Sequence, residues 1–153
     1  MFIYKFINKI LRISLYKTFR FNFHYLKIKQ AFKFPILISK RVKVKNFGRG
    51  KIIFESKIKP GMLRIGFLQT GTQDSTYSRT IWELKGIIKI KKNAAFGSGS
   101  KISIDEGGEL ILGNDFICTG GSTFICNKHI EFGDHVLVSW DVLFYLWIQI
   151  FIL

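Results

Sequence analysis

The chain has 153 residues, 48% of them hydrophobic, which suits one ordinary domain or a short solenoid with an accessory segment. Its net charge of +14 lies in the first third, because residues 1–54 hold 14 Lys or Arg and no acid, whereas residues 55–153 hold 10 of each sign. Lys5, Lys9 and Arg12 interrupt every apolar stretch that could serve as a secretory signal, so the sequence predicts a cytoplasmic protein.

The N-terminal segment predicts a basic amphipathic helix. Within residues 2–20, Phe2, Phe6 and Ile10 recur at helical spacing among lysines and arginines. Two interpretations stay open. The helix lies in the plane of an anionic membrane, or it docks on the rest of the protein with its basic face in solvent. We assign residues 1–45 to this basic helical arm, with an edge strand near its end, at Arg41 to Lys45.

Short strands follow the arm. Residues 46–72 read as short β runs divided by glycines, typical of an irregular first coil of a solenoid, and residues 73–80 form a polar loop. Where the arm binds an anionic partner, the sequence favours a membrane surface, at the inner face of the membrane. Nucleic acid is the weaker candidate, because no RNA-binding or oligonucleotide-binding motif accompanies the aromatic and basic residues.

A six-residue repeat dominates the second half of the chain. Inward positions recur six residues apart in three triplets, and a glycine follows one member of each, which is typical of a parallel β-helix. The triplets are Ile90, Phe96 and Ile102; Leu112, Cys118 and Phe124; and Phe132, Val138 and Phe144.

The spacing of the glycines predicts the length of one coil. Gly97 and Gly133 are 36 residues apart, which would make two coils of 18 with Gly113 at the intermediate corner. Corner insertions at Gly107-Gly108 and around Gly120-Gly121 then account for the uneven offsets. The alternative is an antiparallel sandwich of short strands joined by glycine turns.

Three stretches resemble the hexapeptide-repeat acyltransferases, in particular sugar O-acetyltransferases of surface-polysaccharide biosynthesis. They are RIGF at residues 64–67, RTIWE at residues 79–83 and FGDHVLVSWD at residues 132–141. The last is similar to the family's IGDNVLISWD, with His135 where asparagine is usual. The resemblance covers residues 27–144.

The resemblance implies an all-β fold, a left-handed parallel β-helix of about three to five coils over residues 46–144, despite the right-handed rule for crossovers. It implies a homotrimer, with acetyl-CoA as co-substrate and no metal. A histidine would remove the proton from a sugar hydroxyl, which attacks the thioester, while backbone N–H groups stabilise the oxyanion.

The family's catalytic histidine follows the SWD stretch in a string such as MDTDFH, which this chain lacks. Residues 146–153 can be encoded so that the next reading frame spells MDTDFHT. We therefore expect residues 145–153 to be an apolar, out-of-frame tail produced by a frameshift, and this copy to be truncated and inactive. The alternative is a natural apolar tail docked on the last coil.

The candidate site residues are few. Asp141 matches a position that carries an asparagine near the acceptor in related sugar acetyltransferases; the alternative is a solvated carboxylate at a corner. Trp140 beside it either walls the acceptor pocket or covers the coil. His24, His129 and His135 are not at the catalytic position, so no catalytic residue is assigned, and no residue is assigned to acetyl-CoA or to a metal. Cys118 and Cys126 are expected to be reduced thiols, with Cys118 packed inward.

The sequence therefore supports two candidate functions. The leading one is acetyl transfer from acetyl-CoA to a sugar hydroxyl of a surface polysaccharide or lipopolysaccharide precursor, in a copy that has lost its catalytic loop. The alternative is a basic module that binds a membrane surface or nucleic acid, with a purely structural β domain.

Overall fold

The computed structural model of the protein describes residues 12–45, 47–71, 77–146 and 150–152. Two short helices, α1 (Leu15–Tyr25) and α2 (Ile28–Ala31), precede the strands. The described strands are short and follow one another along the chain as β1 (Ile36–Ile38), β2 (Val42–Val44), β3 (Lys51–Phe54), β4 (Leu63–Ile65), β5 (Thr80–Leu84), β6 (Ile87–Ile90), β7 (Ala94–Phe96), β8 (Lys101–Ile104), β9 (Glu109–Leu112), β10 (Phe116–Cys118), β11 (Thr123–Cys126), β12 (His129–Phe132), β13 (Leu137–Val138), β14 (Leu143–Leu146) and β15 (Ile150–Ile152).

The strands form three parallel sheets of five strands each. Their orders are β1-β4-β7-β10-β13, β2-β5-β8-β11-β14 and β3-β6-β9-β12-β15, so each strand pairs with the strand three places later in the chain. Every pairing between these strands is parallel, which excludes the antiparallel sandwich. The topology is consistent with a parallel β-helix.

The residues predicted to point inward stack in columns. Ile90, Leu112 and Phe132 pair in succession across the third sheet, and the other two triplet positions stack in the same way in the first and second sheets. All nine are buried except Phe144, which packs partly buried against the core. The six-residue spacing therefore predicted the interior correctly.

The predicted coil length of 18 residues is wrong. Phe96 pairs with Cys118 and Cys118 with Val138, so the repeat is 22 and then 20 residues long. Gly113 stacks on Gly133, whereas Gly97 lies against Thr119 at a different corner. The added residues lie at the corner between the second and third sheets, where Ile102 and Leu112 are 10 residues apart and Phe124 and Phe132 are 8 apart. The insertion predicted at Gly107-Gly108 lies at this corner, whereas Cys118 and Phe124 are six residues apart, so the insertion predicted around Gly120-Gly121 is wrong.

Helix α1 covers the edge of the first sheet. Asn22 Nδ2 donates to the carbonyl of Ile36 at 2.8 Å, and its Oδ1 accepts from the N–H of Ile36 at 3.1 Å. Thr18 Oγ1 accepts from the N–H of Ile38 at 3.1 Å. Side chains thus satisfy main-chain groups that an unpaired edge strand would leave open.

The limits of the sheets differ from the predicted segments. Strands β1 and β2 lie within residues 1–45, so the sheets begin inside the segment predicted as an arm. At the other end, β14 pairs with β11 and β15 pairs with β12, so the apolar tail continues the second and third sheets. Helix α1 ends at Tyr25, later than the predicted helix over residues 2–20, whose first ten residues lie outside the described part.

Candidate functional site

The predicted residues Trp140 and Asp141 lie at the corner between β13 and β14. Asp141 has φ 56°, in the left-handed region that aspartate tolerates better than most residues. The buried hydroxyl of Ser122, in the corner before β11, donates to the carbonyl of Ser139 at 2.9 Å and accepts from the N–H of Val142 at 3.1 Å. Main-chain groups on both sides of Trp140 and Asp141 are thereby fixed to the neighbouring corner.

Gly121 leaves room for the carboxylate of Asp141. A Cβ atom at this glycine would lie 2.2 Å from Asp141 Oδ1, and the residue has φ +69°. The positive φ favours glycine here, and an added side chain would also displace the carboxylate of Asp141. The glycine pair predicted as a corner insertion thus forms the floor under a predicted site residue.

A cavity of about 520 Å³ opens at this edge of the sheets. Trp140 and Asp141 both line it, together with residues from successive corners and from the segment before β5. The lining consists of Thr70, Tyr77, Ser78, Arg79, Ile81, Gly99, Lys101, Gly120, Gly121, Trp140 and Asp141. Trp140 is 54% exposed, so its indole is a wall of the cavity and not a cover for the interior.

The described lining carries two cations and one carboxylate. Arg79 and Lys101 are both exposed and face the same cavity as Asp141. Neither cation was predicted as a site residue, since Arg79 directly precedes β5, Lys101 begins β8, and only the sheet topology brings them together. The available signal was the RTIWE stretch at residues 79–83, which begins with Arg79.

The histidines lie elsewhere. His24 contacts the carbonyl of Gly48 at 3.0 Å, His129 Nδ1 lies 3.2 Å from Glu109, and His135 Nδ1 lies 3.9 Å from Asp115. None of the three lines the cavity among the described residues. The described cavity therefore supplies no imidazole as a general base.

Neither cysteine lines the cavity among the described residues, and these residues include no group of metal ligands. Cys118 and Cys126 are both free and buried, and burial raises the pKa of the Cys126 thiol. Such a thiol is less reactive, because the thiolate is the nucleophile. Within the described residues, no group of three or more His, Cys, Asp and Glu side chains could hold a metal ion.

A second cavity of about 630 Å³ lies at the corners between the second and third sheets. Its charged lining is mainly basic, with Arg49, Lys51, Lys85 and Lys128 around Glu109. The hydrogen bond from Lys89 and the nearby His129 hold the pKa of Glu109 below its usual value. Glu109 is thus already engaged by Lys89 and His129 and is not a free base.

Two further carboxylates tie successive corners together. Asp134 accepts from both the main-chain N–H and the side-chain amide of Asn114, each at 2.8 Å, and these bonds lower its pKa. The pKa of Asp115 is lowered chiefly by the hydrogen bond from Asn93 and by Lys92. Both contacts favour the ionised carboxylate in the folded state.

The lowered pKa values of Glu109, Asp115 and Asp134 predict that the folded protein loses stability in acid. Each has a folded-state pKa below its unfolded value, so its stabilisation is complete above the unfolded value and is lost as the pH falls through the folded one. We expect the melting temperature to stay level down to about pH 5 and to fall below about pH 4. Thermal melts by circular dichroism test this. A variant with Asp115→Ala and Asp134→Ala should show a shallower fall, and a level melting temperature down to pH 3 in the parent chain would contradict the prediction.

Comparison with known proteins leaves the family unassigned. No family model, curated protein or solved structure matches the chain. No helix within the described residues is long and apolar enough to cross a bilayer.

Proposed function

We propose that the chain is a sugar O-acyltransferase by descent, built on a left-handed parallel β-helix of five coils. The observation that carries the proposal is the cavity in which Trp140 and Asp141 meet Arg79 and Lys101. Three parallel five-stranded sheets support the fold, and two of the three stretches that resemble the acyltransferases contribute to this one cavity. The acyl donor would be acetyl-CoA, to which we assign no residue.

The cavity suits a sugar acceptor. An exposed indole such as Trp140 offers a flat apolar surface for the C–H face of a pyranose, with a polar N–H at its edge. The carboxylate of Asp141 accepts hydrogen bonds from sugar hydroxyls. Arg79 and Lys101 would bind an anionic group on the acceptor, such as a phosphate or carboxylate.

The proposed reaction is a direct transfer. The acceptor oxygen forms a C–O bond with the acetyl carbonyl carbon, the C–S bond of the thioester breaks, and the hydroxyl proton passes through a base to the departing thiolate. The described cavity residues include no histidine for that base. We therefore propose that the chain as given binds the acceptor but does not catalyse transfer. A chain that carries the MDTDFHT string of the shifted frame would regain the transfer activity.

Acetyl transfer by two forms of the protein tests the proposal. We expect the frame-restored chain to consume acetyl-CoA when an acidic or phosphorylated sugar acceptor is present, and the chain as given to be slower by ~10²–10⁴. In the frame-restored chain, Trp140→Ala should raise the KM for the acceptor, whereas the exposed Leu143→Ala should not. If the gene sequence does not spell MDTDFHT in the shifted frame, the frameshift is wrong. If the frame-restored chain is inactive and binds no sugar, the proposed function is wrong.

A further inference from the structure

Helix α1 carries large apolar side chains on both its inner and its outer face. Its inner face buries Thr18, Phe21, Asn22 and Tyr25 against the first strands. Its outer face leaves the large side chains of Leu15, Tyr16 and Phe19 exposed. A terminal cap of a solenoid normally turns a polar face outward, because exposed apolar surface invites association. We therefore expect the outer face of this cap to bind a partner.

The exposed apolar side chains form one continuous ridge. Phe19 stacks on Phe23 at 4.4 Å between ring centroids, and Phe23 meets Phe32 edge-on at 5.2 Å. Leu15 precedes Phe19 by one helical turn, and Ile28 precedes Phe32 in the same way. We call these five residues the cap ridge. Leu15, Phe19, Ile28 and Phe32 are 55% to 78% exposed.

Cations border the cap ridge, and acids do not. Residues 12–33 hold six Lys or Arg and no Asp or Glu. Lys27, Lys29 and Lys33 alternate with the ridge residues of α2 and are exposed. Among the described residues, no carboxylate lies within ion-pair distance of these three lysines.

The charge argues against a second copy of the chain as the partner. Two cap ridges in contact would bring the three exposed lysines Lys27, Lys29 and Lys33 of one copy close to those of the other, and like charges at a contact are unfavourable. Residues 1–11, outside the described part, add two lysines and no acid. An anionic surface satisfies both the ridge and its border.

We propose that the cap ridge docks on an anionic lipid bilayer. Leu15, Phe19, Ile28 and Phe32 enter the boundary between headgroups and acyl chains, and Lys27, Lys29 and Lys33 contact lipid phosphates while their methylene stems cover the ridge. This binding is independent of acyl transfer. It places one end of the sheets on the membrane and leaves the cavity at Trp140 open at the side.

Vesicle sedimentation with the full chain tests the proposal. We expect binding to vesicles of phosphatidylcholine with phosphatidylglycerol, weak binding to phosphatidylcholine alone, and weaker binding as salt is raised. The double variant Ile28→Ser with Phe32→Ser should bind about tenfold less tightly or worse. Lys29→Glu should weaken binding to the anionic vesicles, whereas Lys128→Glu, at an exposed corner far along the chain, should not.

The matched control is the double variant Leu137→Ser with Leu143→Ser. Those leucines are 66% and 64% exposed, close to the 69% and 65% of Ile28 and Phe32, but they stand on β13 and β14. Equal loss in both double variants would overturn the proposal, as would tighter binding of the parent chain to a single-stranded oligonucleotide than to the anionic vesicles. If the parent chain ignores vesicles, self-association lost in the ridge variant would identify a second copy as the partner. A monomer that does not bind vesicles would also overturn the proposal.

Discussion

Replacing Gly97 by alanine is expected to abolish the cooperative folding of the sheets. A Cβ atom at this position would lie 1.9 Å from the carbonyl oxygen of Thr119 and 2.7 Å from the main-chain nitrogen of Gly120. Those atoms belong to the next corner of the stack and cannot move aside like the end of a flexible side chain. We expect a destabilisation of about 3 kcal/mol or more, since relief requires main chain to separate between two paired strands.

Two other glycines serve as controls for Gly97→Ala. A Cβ atom at Gly71 would meet no atom within 4 Å, so Gly71→Ala should change the free energy of unfolding by less than about 0.5 kcal/mol. Gly107 also has open space, but its φ is +81°, so Gly107→Ala should cost about 1–2 kcal/mol through strain alone. Chemical denaturation of the three variants gives the comparison. Equal stability of Gly97→Ala and Gly71→Ala would contradict the close stacking of the corners.

The variant Phe124→Ala is expected to cost about 3–5 kcal/mol, the range for removing a fully buried phenylalanine. Phe124 is 0% exposed and contacts four other aromatic rings, with centroid distances from 5.1 to 6.3 Å. The neighbouring rings stand on strands of all three sheets, whose pairing holds them in place, so they cannot collapse into the space. The cavity left behind therefore persists and adds to the lost burial.

Phe32→Ala is the matched control, because it removes the same side chain from the surface. Phe32 is mostly exposed and meets one ring, Phe23, so its loss should cost less than about 1 kcal/mol. The same substitution should weaken vesicle binding, which separates membrane docking from stability. A fall in stability as large as that of Phe124→Ala would show that Phe32 is covered in solution.

The interior of the sheets could be predicted from the sequence because it depends on strand alternation. Ile90, Phe96 and Ile102 are six residues apart and are all buried, because side chains alternate between the two faces of each strand. The same positions are buried in the next coils, Phe144 only partly. The corners could not be predicted in the same way. Asp115, His135 and Asp141 adopt positive φ, yet nothing in their residue types distinguishes them from aspartates and histidines in ordinary turns. The repeat length depends on another corner, the one between the second and third sheets, where Ile102 and Leu112 are 10 residues apart and Phe124 and Phe132 are 8 apart.

The two ends of the chain were harder to predict than the centre. Apolar residues recur at helical spacing on both sides of Ser14, but the described helix begins after it, where its side chain accepts from the N–H of Lys17. The tail was expected to leave the repeat after Phe144. In the structure, Leu146 is buried opposite Cys126, because any apolar residue at the right alternation can fill the next inward position.

Half of the candidate site followed from the sequence. Trp140 and Asp141 are adjacent in the chain, so a single motif could identify them. Arg79 reaches the cavity from the segment just before β5, and Lys101 reaches it from β8. Strands β5 and β8 are neighbours only after the chain has passed through the other two sheets. A residue's contribution to such a site depends on strand pairing, which local sequence does not encode.

The pairing of every strand with the strand three places later decides where this protein can change length. One residue added within a strand would reverse the alternation and turn a buried column towards solvent. The segment from Gly66 to Arg79, in contrast, lies between β4 and β5, and the sheets keep their register across it. Insertions are therefore confined to the corners, and this long one carries Arg79 into the cavity. New binding specificity in this architecture can arise by lengthening a corner while the interior stays unchanged.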